Sequence, residues 1–260
     1  MARSLIGGLI SSRVKPGSIY AADVNTDTLS ALTTDFSIQA CEHNQQLLDS
    51  CSIIVLSVKP QVMKDVVSAL NISNKTDVMF ITIAAGIRVE SIQNWLGQNT
   101  AIVRAMPNTP ALVQTGATAL YANANTSAEQ KEAAESILRA VGLALWVDEE
   151  SQMDAVTALS GSGPAYLFLV MEAMEEAGIN LGLTQETSRL LAIQTAFGTA
   201  KLALEIEESP ATLRERVTSP GGTTEQALRV FNESELKAIF NKAMTAARDR
   251  AIELANELGK

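Results

Sequence analysis

The hydrophobic pattern of this chain changes near residue 148, and the change limits what the chain can fold into. Before that point, short β-branched runs alternate with stretches of helical period. The runs at 53–58 (IIVLSV) and 78–84 (VMFITIA) are apolar with little alternation, which is typical of parallel strands covered on both faces. Strands that alternate with helices predict a doubly wound α/β sheet in the first half of the chain.

The pattern also predicts where the individual elements lie. Strands are expected at 19–22, 53–58, 78–84, 101–105, 117–121 and 144–147. Helices are expected at 5–12, 26–32, 61–70, 89–96 and 127–141.

The second half of the chain has no convincing strand. From Met153 onward, apolar residues recur at helical spacing, and one such face starts at Tyr166 and is expected to end at Gly178. The sequence therefore predicts two domains, an α/β domain over 1–149 and an all-helical domain over 150–260. The acidic segment DEES at their junction is not typical of a flexible linker.

Composition excludes several classes of function. The chain has 260 residues and a net charge of −9, so nucleic-acid binding through phosphate neutralisation is not expected. Cys41 and Cys51 are too few for a disulfide framework or a four-cysteine zinc site, and they suit small buried positions in a protein of the reducing cytoplasm. No apolar run is long enough to span a membrane. A serine triad would have to use His43, the single histidine, which is expected to be a surface or loop residue.

Small residues follow three of the predicted strands. Lys59-Pro60, Ala85-Gly86 and the segment 106–110 (MPNTP) each come where a strand ends. Ligands of open α/β sheets bind at such ends, where small residues let a cofactor ring or phosphate approach the backbone. Asp23 ends the first visible strand and could accept from ribose hydroxyls. Ordinary strand-to-helix turns explain each of these features equally well when it is taken alone.

Two breaks rich in glycine and hydroxyl groups precede helices in the second half. They are 159–166 (LSGSGPAY) and 217–225 (VTSPGGTTE). Unpaired amides at a helix N-terminus form a site for a carboxylate or phosphate. Helix capping by Thr223 or Thr224 is the simpler alternative for the second break.

These blocks together resemble pyrroline-5-carboxylate reductase. The resemblance rests on LSGSGPAYLFLVMEAMEEAGINLGL at 159–183, GTAKL at 198–202 and LRERVTSPGGTTEQAL at 213–228, with VKP at 58–60, AAG at 84–86 and MPNTP at 106–110 in the same order. It covers essentially the whole chain. It implies a Rossmann-like doubly wound domain followed by an all-α dimerisation domain, and a homodimer that is often gathered into a decamer. The implied reaction reduces Δ1-pyrroline-5-carboxylate to L-proline with NADPH, the last step of proline biosynthesis.

The resemblance also implies site residues. Those expected at the cofactor are Asp23, Asn44, Ser57, Val58, Lys59, Pro60, Ala84, Ala85 and Gly86. Those expected at the substrate are Ser160, Gly221, Gly222, Thr223 and Thr224, with Thr224 as the catalytic residue beside the ring nitrogen. No metal is expected, because a protonated cyclic imine accepts hydride directly and needs mainly to be positioned.

Two departures from the family pattern affect the expected cofactor. The chain opens at Met1 in a helical segment, without the strand and Gly-x-Gly turn with which the family begins. We therefore expect a sheet that lacks this strand and weak or absent cofactor binding by these residues, to be tested by NADPH titration. Val24 stands where an arginine often contacts the 2′-phosphate, and Asp23 would repel that phosphate, so NADH is a possible cofactor.

Two alternatives remain open from the sequence. A β-hydroxyacid dehydrogenase shares the two-domain plan but usually needs a lysine on the first long helix of its second domain. No lysine occurs between Lys131 and Lys201, which counts against it. A non-catalytic oligomeric or cofactor-sensing relative is the other alternative. Measuring the turnover of pyrroline-5-carboxylate distinguishes these alternatives from a pyrroline-5-carboxylate reductase.

Overall fold

The computed structural model describes residues 1–73, 75, 77–97 and 100–259. The described chain divides into two compact units. The first is Met1–Ser162 together with the segment from Ala246 onward, and the second is Gly163–Thr245.

Seven described strands form two sheets in the first unit. They are β1 (Tyr20–Ala21), β2 (Gln39–Ala40), β3 (Ile53–Leu56), β4 (Met79–Thr82), β5 (Ala101–Met106), β6 (Gly116–Ala122) and β7 (Gly142–Trp146). A two-stranded sheet pairs β1 with β2, and a five-stranded sheet has the order β3-β4-β5-β6-β7. Among the described residues, no strand joins β1 to β3.

One strand pair departs from the expected parallel arrangement. β5 and β6 are antiparallel, whereas the other pairs are parallel. Only a short 3-10 turn, Thr109–Val113, lies between them, and this connection is too short for the crossover that a parallel pair needs. The Rossmann-like α/β architecture is confirmed, with this one reversal in its sheet.

Seven helices begin and end within the first unit. They are α1 (Ala2–Ser11), α2 (Thr26–Phe36), α3 (Asn44–Ser50), α4 (Met63–Ser68), α5 (Val89–Leu96), α6 (Ala128–Arg139) and α7 (Gln152–Val156). All six predicted strands and all five predicted helices are present in this part. β2 and α3 were not predicted, because β2 has only two exposed residues and α3 is a short polar helix with one buried residue, Leu48.

Both faces of the five-stranded sheet are covered. On β4, Phe80 packs into one apolar cluster with helix residues such as Met63 and Ile92, whereas Met79 and Ile81 pack into a second cluster with Leu138. All four β4 residues are fully buried. Burial on both faces explains why this strand reads as a continuous apolar run.

The second unit is helical throughout. It contains α8 (Gly163–Asn180), α9 (Gln185–Glu205), α10 (Pro210–Arg216), α11 (Thr223–Glu233) and the first part of α12 (Leu236–Leu258). The predicted end of α8 at Gly178 is wrong, since the helix continues to Asn180. Gly178 instead allows a close approach of α9, because a Cβ there would lie 2.7 Å from Ser188 Oγ.

The division into compact units does not follow the expected domain bounds of 1–149 and 150–260. Residues 150–162 belong to the compact unit of the sheet, and Glu150 is tied to β5 by an ion pair with Arg104. The end of α12 also belongs to that unit. The domain bounds stay a prediction, since compactness within one chain does not define a domain.

Candidate functional site

The carboxyl ends of β3, β4 and β5 lie side by side and form what we call the strand edge. In the parallel register Leu56 pairs with Thr82, and Thr82 pairs with Arg104. The segments 57–60, 84–86 and 107–108 therefore leave the sheet at the same edge. Ligands of open α/β sheets bind beyond this edge.

The first of these segments combines a cation with a turn. Lys59 precedes a 3-10 turn, Pro60–Val62, in which Pro60 takes the first position. Ser57 and Lys59 are exposed, whereas Val58 and Pro60 are half-buried. The Lys59 ammonium has no ion-pair partner among the described residues. A free cation at the strand edge is available to a phosphate.

The second segment brings the backbone close to the end of α12. Gly86 has a φ of +73°, and a Cβ there would lie 3.4 Å from the Leu254 Cβ and the Leu258 Cδ1. The Ala84 amide donates to the Thr82 hydroxyl, and Ala84 is buried. Glycine therefore fits position 86 because of its backbone conformation, since a Cβ there would make only ordinary van der Waals contacts.

Asp23 and Asn44 instead follow the two strands of the two-stranded sheet, β1 and β2. Asp23 follows β1, and its Oδ1 accepts from the Asn25 amide at 2.8 Å, just before α2. Its Oδ2 has no hydrogen-bond partner among the described residues. Asn44 is the first residue of α3, which His43 caps by accepting from the Gln46 amide. His43 is an exposed capping residue, as expected for the surface.

Cys41 and Cys51 are free thiols rather than a bridge. Cys41 is buried, as predicted, whereas Cys51 is only half-buried. Burial raises the pKa of both thiols, and for Cys51 the neighbouring Cys41 raises it further. Thiols that remain protonated are poor nucleophiles, so neither residue is a candidate for covalent catalysis.

Ser160 lies in a π-helical segment, Thr157–Gly161, that follows α7 directly. Its hydroxyl donates to the Val156 carbonyl at 3.1 Å, and the Thr157 hydroxyl donates to the Met153 carbonyl at 2.8 Å. Its own carbonyl accepts from Asn108 at the strand edge. Single π turns of this kind are frequent at functional sites.

The reasoning from sequence missed a buried ion-pair network beside the strand edge. Arg104 on β5 is 3% exposed, and its guanidinium lies 3.0 Å from a Glu150 oxygen and 3.7 Å from an Asp154 oxygen. Glu150 also accepts from the Val89 amide at the start of α5. A lone arginine inside the apolar run AIVRAM is the signal that could have identified this network.

The other predicted substrate residues form a turn, Ser219–Gly222, that leads into α11; we call it the glycine turn. Gly221 has a φ of +71°, and the Gly222 amide donates to the Ser219 carbonyl. The Gly221 amide donates to Glu225 Oε2 at 2.8 Å. The N-cap of α11 is Gly222, so the alternative of capping by Thr223 or Thr224 is wrong.

Two amides at this helix end are left for a ligand. Thr223 and Thr224 occupy the first two positions of α11, where backbone amides have no acceptor within the helix. Neither amide donates to a described residue. The positive end of the helix dipole favours an anion there. Ser160 belongs to the first compact unit and the glycine turn to the second.

The described residues include no group of three or more histidine, cysteine, aspartate or glutamate side chains that could hold a metal ion. The described helices also include none that is both long and apolar enough to cross a membrane.

Comparison with known proteins identifies the family. Residues 150–254 match the family model for pyrroline-5-carboxylate reductase dimerisation, and residues 1–86 match the model for NADP oxidoreductase coenzyme F420-dependent. A pyrroline-5-carboxylate reductase of Pseudomonas aeruginosa is 49% identical over 260 residues, which cover 100% of this chain and 95% of the relative. That of Escherichia coli is 37% identical over 98% of this chain and 95% of the relative.

Solved structures agree with this assignment. A pyrroline-5-carboxylate reductase from Coxiella burnetii superposes with a TM-score of 0.94 at 46% identity, covering 98% of this chain and 94% of that one. The Plasmodium falciparum enzyme, solved with NADP bound, superposes with a TM-score of 0.84 at 26% identity, covering 97% and 93%. The chain belongs to the pyrroline-5-carboxylate reductase family.

Proposed function

We propose that this chain reduces Δ1-pyrroline-5-carboxylate to L-proline by hydride transfer from NADPH, as the last step of proline biosynthesis. The observation that carries the proposal is the glycine turn, which leaves the amides of Thr223 and Thr224 open at the start of α11 in a chain of this family. A substrate carboxylate is the anion that this site would take.

The glycines and the threonines have different parts in the proposed substrate site. The amides of Gly221 and Gly222 already donate within the turn, to Glu225 and Ser219, so these residues shape the site. The amides of Thr223 and Thr224 bind the carboxylate. The Thr224 hydroxyl accepts from the N–H of the protonated imine, which holds the ring in one orientation. Ser160 stays a proposed substrate-binding residue of the first unit.

The reaction needs little beyond positioning. NADPH supplies a hydride to the imine carbon, and the imine π electrons become the nitrogen lone pair, which takes a proton from solvent. The chain orients the ring and balances the carboxylate charge, which accounts for much of the barrier reduction in reactions of this type. No metal and no strong side-chain acid is required.

The residues at the strand edge fit a dinucleotide. Ser57, Val58, Lys59 and Pro60 would face its phosphates with one free cation, and Ala84, Ala85 and Gly86 would allow a flat ring to approach the backbone. Asp23 and Asn44 would hold the adenosine ribose.

We expect the preference between NADPH and NADH to depend on the charge at positions 23 and 24. The Asp23 carboxylate would repel a 2′-phosphate, and Val24 beside it is fully exposed and offers no charge. Comparing kcat/KM for the two cofactors in the wild type and in Asp23→Asn tests this proposal. Neutralising Asp23 should shift the ratio toward NADPH. An unchanged ratio would show that Asp23 does not contact the ribose.

The family's dimerisation domain supports self-association, and we propose that the chain forms either a homodimer or a decamer of dimers in the cytoplasm. Light scattering coupled to size exclusion distinguishes the two assemblies, and cell fractionation tests the location. Two free thiols are consistent with a reducing compartment.

The proposed activity is tested by assaying the reaction in both directions. NADPH oxidation should depend on added pyrroline-5-carboxylate, and NADP reduction at high pH should depend on added L-proline. A chain that binds L-proline but turns over neither substrate would favour the non-catalytic alternative. Turnover of a β-hydroxy acid instead would overturn the proposal.

A further inference from the structure

Asn108 links two motifs that are far apart in the sequence. It follows β5 at the strand edge, and both ends of its carboxamide are bonded. Its Nδ2 donates to the Ser160 carbonyl at 3.1 Å, and its Oδ1 accepts from the Ala117 amide at 2.8 Å. Because an amide N–H can only donate, the bond with Ala117 determines which end of the carboxamide faces Ser160.

The π-helical segment is also pressed against β5 by packing. A Cβ on Gly161 would lie 2.6 Å from the Met106 Cε, so the end of the Met106 side chain lies directly against this glycine. Met106 is the last residue of β5. The end of the segment is therefore held by one hydrogen bond and one close contact, both from the carboxyl end of the same strand.

β5 also holds the amino-terminal end of the stretch 150–161, which leads into this segment. Arg104, two residues before Met106, pairs with Glu150 and Asp154 at the start of α7. The stretch 150–161 is thus attached at both ends to one buried strand. A buried central strand is a rigid support, and rigid supports hold site residues precisely.

We propose that Asn108 is a positioning residue that holds Ser160 and Gly161 at the strand edge, where they set the place of the substrate ring. The inference rests on the proposed function. Asn108 acts through the Ser160 backbone and does not itself touch the reacting atoms. Its removal should therefore move the substrate site while the phosphate-facing residues 57–60 stay in place.

The test compares two asparagines at opposite ends of β5. Asn108→Asp keeps the acceptor for Ala117 but sets a carboxylate oxygen against the Ser160 carbonyl. Asn123 is the matched control, because its Oδ1 accepts from the Ile102 amide and its Nδ2 donates to the Thr100 carbonyl, at the amino end of the strand. Asn123→Asp makes the same chemical change away from the strand edge.

The expected result separates positioning from folding. Asn108→Asp should lower kcat/KM for pyrroline-5-carboxylate about tenfold to a hundredfold, the cost of a small misplacement, and weaken L-proline binding in calorimetry. The KM for NADPH should change by less than about twofold, because the residues proposed to bind it lie on the segments 57–60 and 84–86 and at Asp23 and Asn44. Asn123→Asp should lower the melting temperature at least as much as Asn108→Asp does. Its kinetics with pyrroline-5-carboxylate should be unchanged.

The outcomes distinguish this inference from the proposed function. A wild-type chain that neither turns over the substrate nor binds L-proline overturns both. An active or proline-binding wild type with an unaffected Asn108→Asp variant overturns the positioning role alone. Equal losses of proline affinity in the two variants also overturn it, since the role of Asn108 would then be only structural.

Discussion

The two compact units bury their apolar side chains very differently. The sheet unit has three apolar clusters with many fully buried residues. In the helical unit, where every residue of 163–245 is described, only Ser188 and Ala192 are classed as buried. Twenty large hydrophobic residues are exposed in that unit, against eight in the rest of the described chain.

This contrast shows where each unit obtains its stability. The sheet unit closes its core within one chain, so its folding free energy is intramolecular. The helical unit leaves many large apolar side chains exposed, and its match to the family's dimerisation model favours self-association, which would cover them. Stability of the second unit should therefore depend on protein concentration.

The largest expected effect is on the sheet core. Phe80→Ala should lower the free energy of unfolding by about 3–5 kcal/mol, because Phe80 is fully buried on β4. Phe168→Ala, at a residue that is 65% exposed on α8, should change it by less than about 1 kcal/mol in dilute, dissociated protein. Denaturant unfolding at low protein concentration measures both.

The same two variants, Phe80→Ala and Phe168→Ala, also test the contrast between the two units at higher protein concentration. Phe168→Ala should then increase the concentration at which the oligomer half dissociates, as followed by light scattering. A Phe168→Ala variant that destabilises the dilute chain as much as Phe80→Ala would show that the helical unit closes a core of its own.

The second effect concerns the ion-pair network of the sheet unit. Arg104→Met should cost about 3 kcal/mol, because it leaves Glu150 and Asp154 beside a strand without their cation. Arg229→Met in the helical unit removes an exposed partner of Glu233 and should cost less than about 1 kcal/mol. Thermal unfolding checks the difference, and equal costs would contradict the distinct roles of the two arginines.

The third effect is kinetic and concerns the helical unit. Thr224→Ala should lower kcat/KM for pyrroline-5-carboxylate about tenfold to a hundredfold, as expected for one hydrogen bond to a charged group. The free energy of unfolding should change little, because the Thr224 side chain caps nothing. Thr223→Ala keeps the amide and is the matched control. Full activity in Thr224→Ala would remove the proposed role of its hydroxyl.

The smallest effect is a pH dependence on the surface of the sheet unit. The Trp146 indole N–H and then Arg139 hold the pKa of Glu135 below its usual range. A lowered pKa in the folded state contributes stability above the ordinary carboxyl pKa, and this contribution is lost as the pH falls through the lowered value. Unfolding free energies at pH 7 and below pH 4 should therefore differ less in Glu135→Gln than in the wild type. An equal difference in the two proteins would contradict this contribution of Glu135.

Much of the sheet unit was predictable from local patterns. The runs at 53–58 and 78–84 predict strands because side chains covered on both faces must be apolar at every position. Turn residues were less informative. Gly178 suggested a helix end, yet it lies inside α8, where it permits close packing against Ser188. A glycine required by a turn and one required by close packing look alike in sequence.

The candidate site was predictable only in pieces. The segments 106–110 and 159–166 stood out separately because each is rich in residues that favour turns. Their connection through Asn108 and Ser160 was not predictable, since no periodic pattern relates residues 52 positions apart. Arg104 was missed for the same reason, as its partners Glu150 and Asp154 lie 46 and 50 residues further along the chain.

The sequence by itself determined the alternation of strands and helices, the helical second half and the family of the chain, because these depend on short-range periodicity and on local motifs. Only the tertiary structure decided that β6 runs antiparallel and that β5 holds the stretch 150–161 at both ends. Only the tertiary structure showed that the helical unit leaves its apolar side chains exposed. Hydrogen bonds, ion pairs and burial depend on which distant segments come into contact, and local sequence patterns do not predict those contacts.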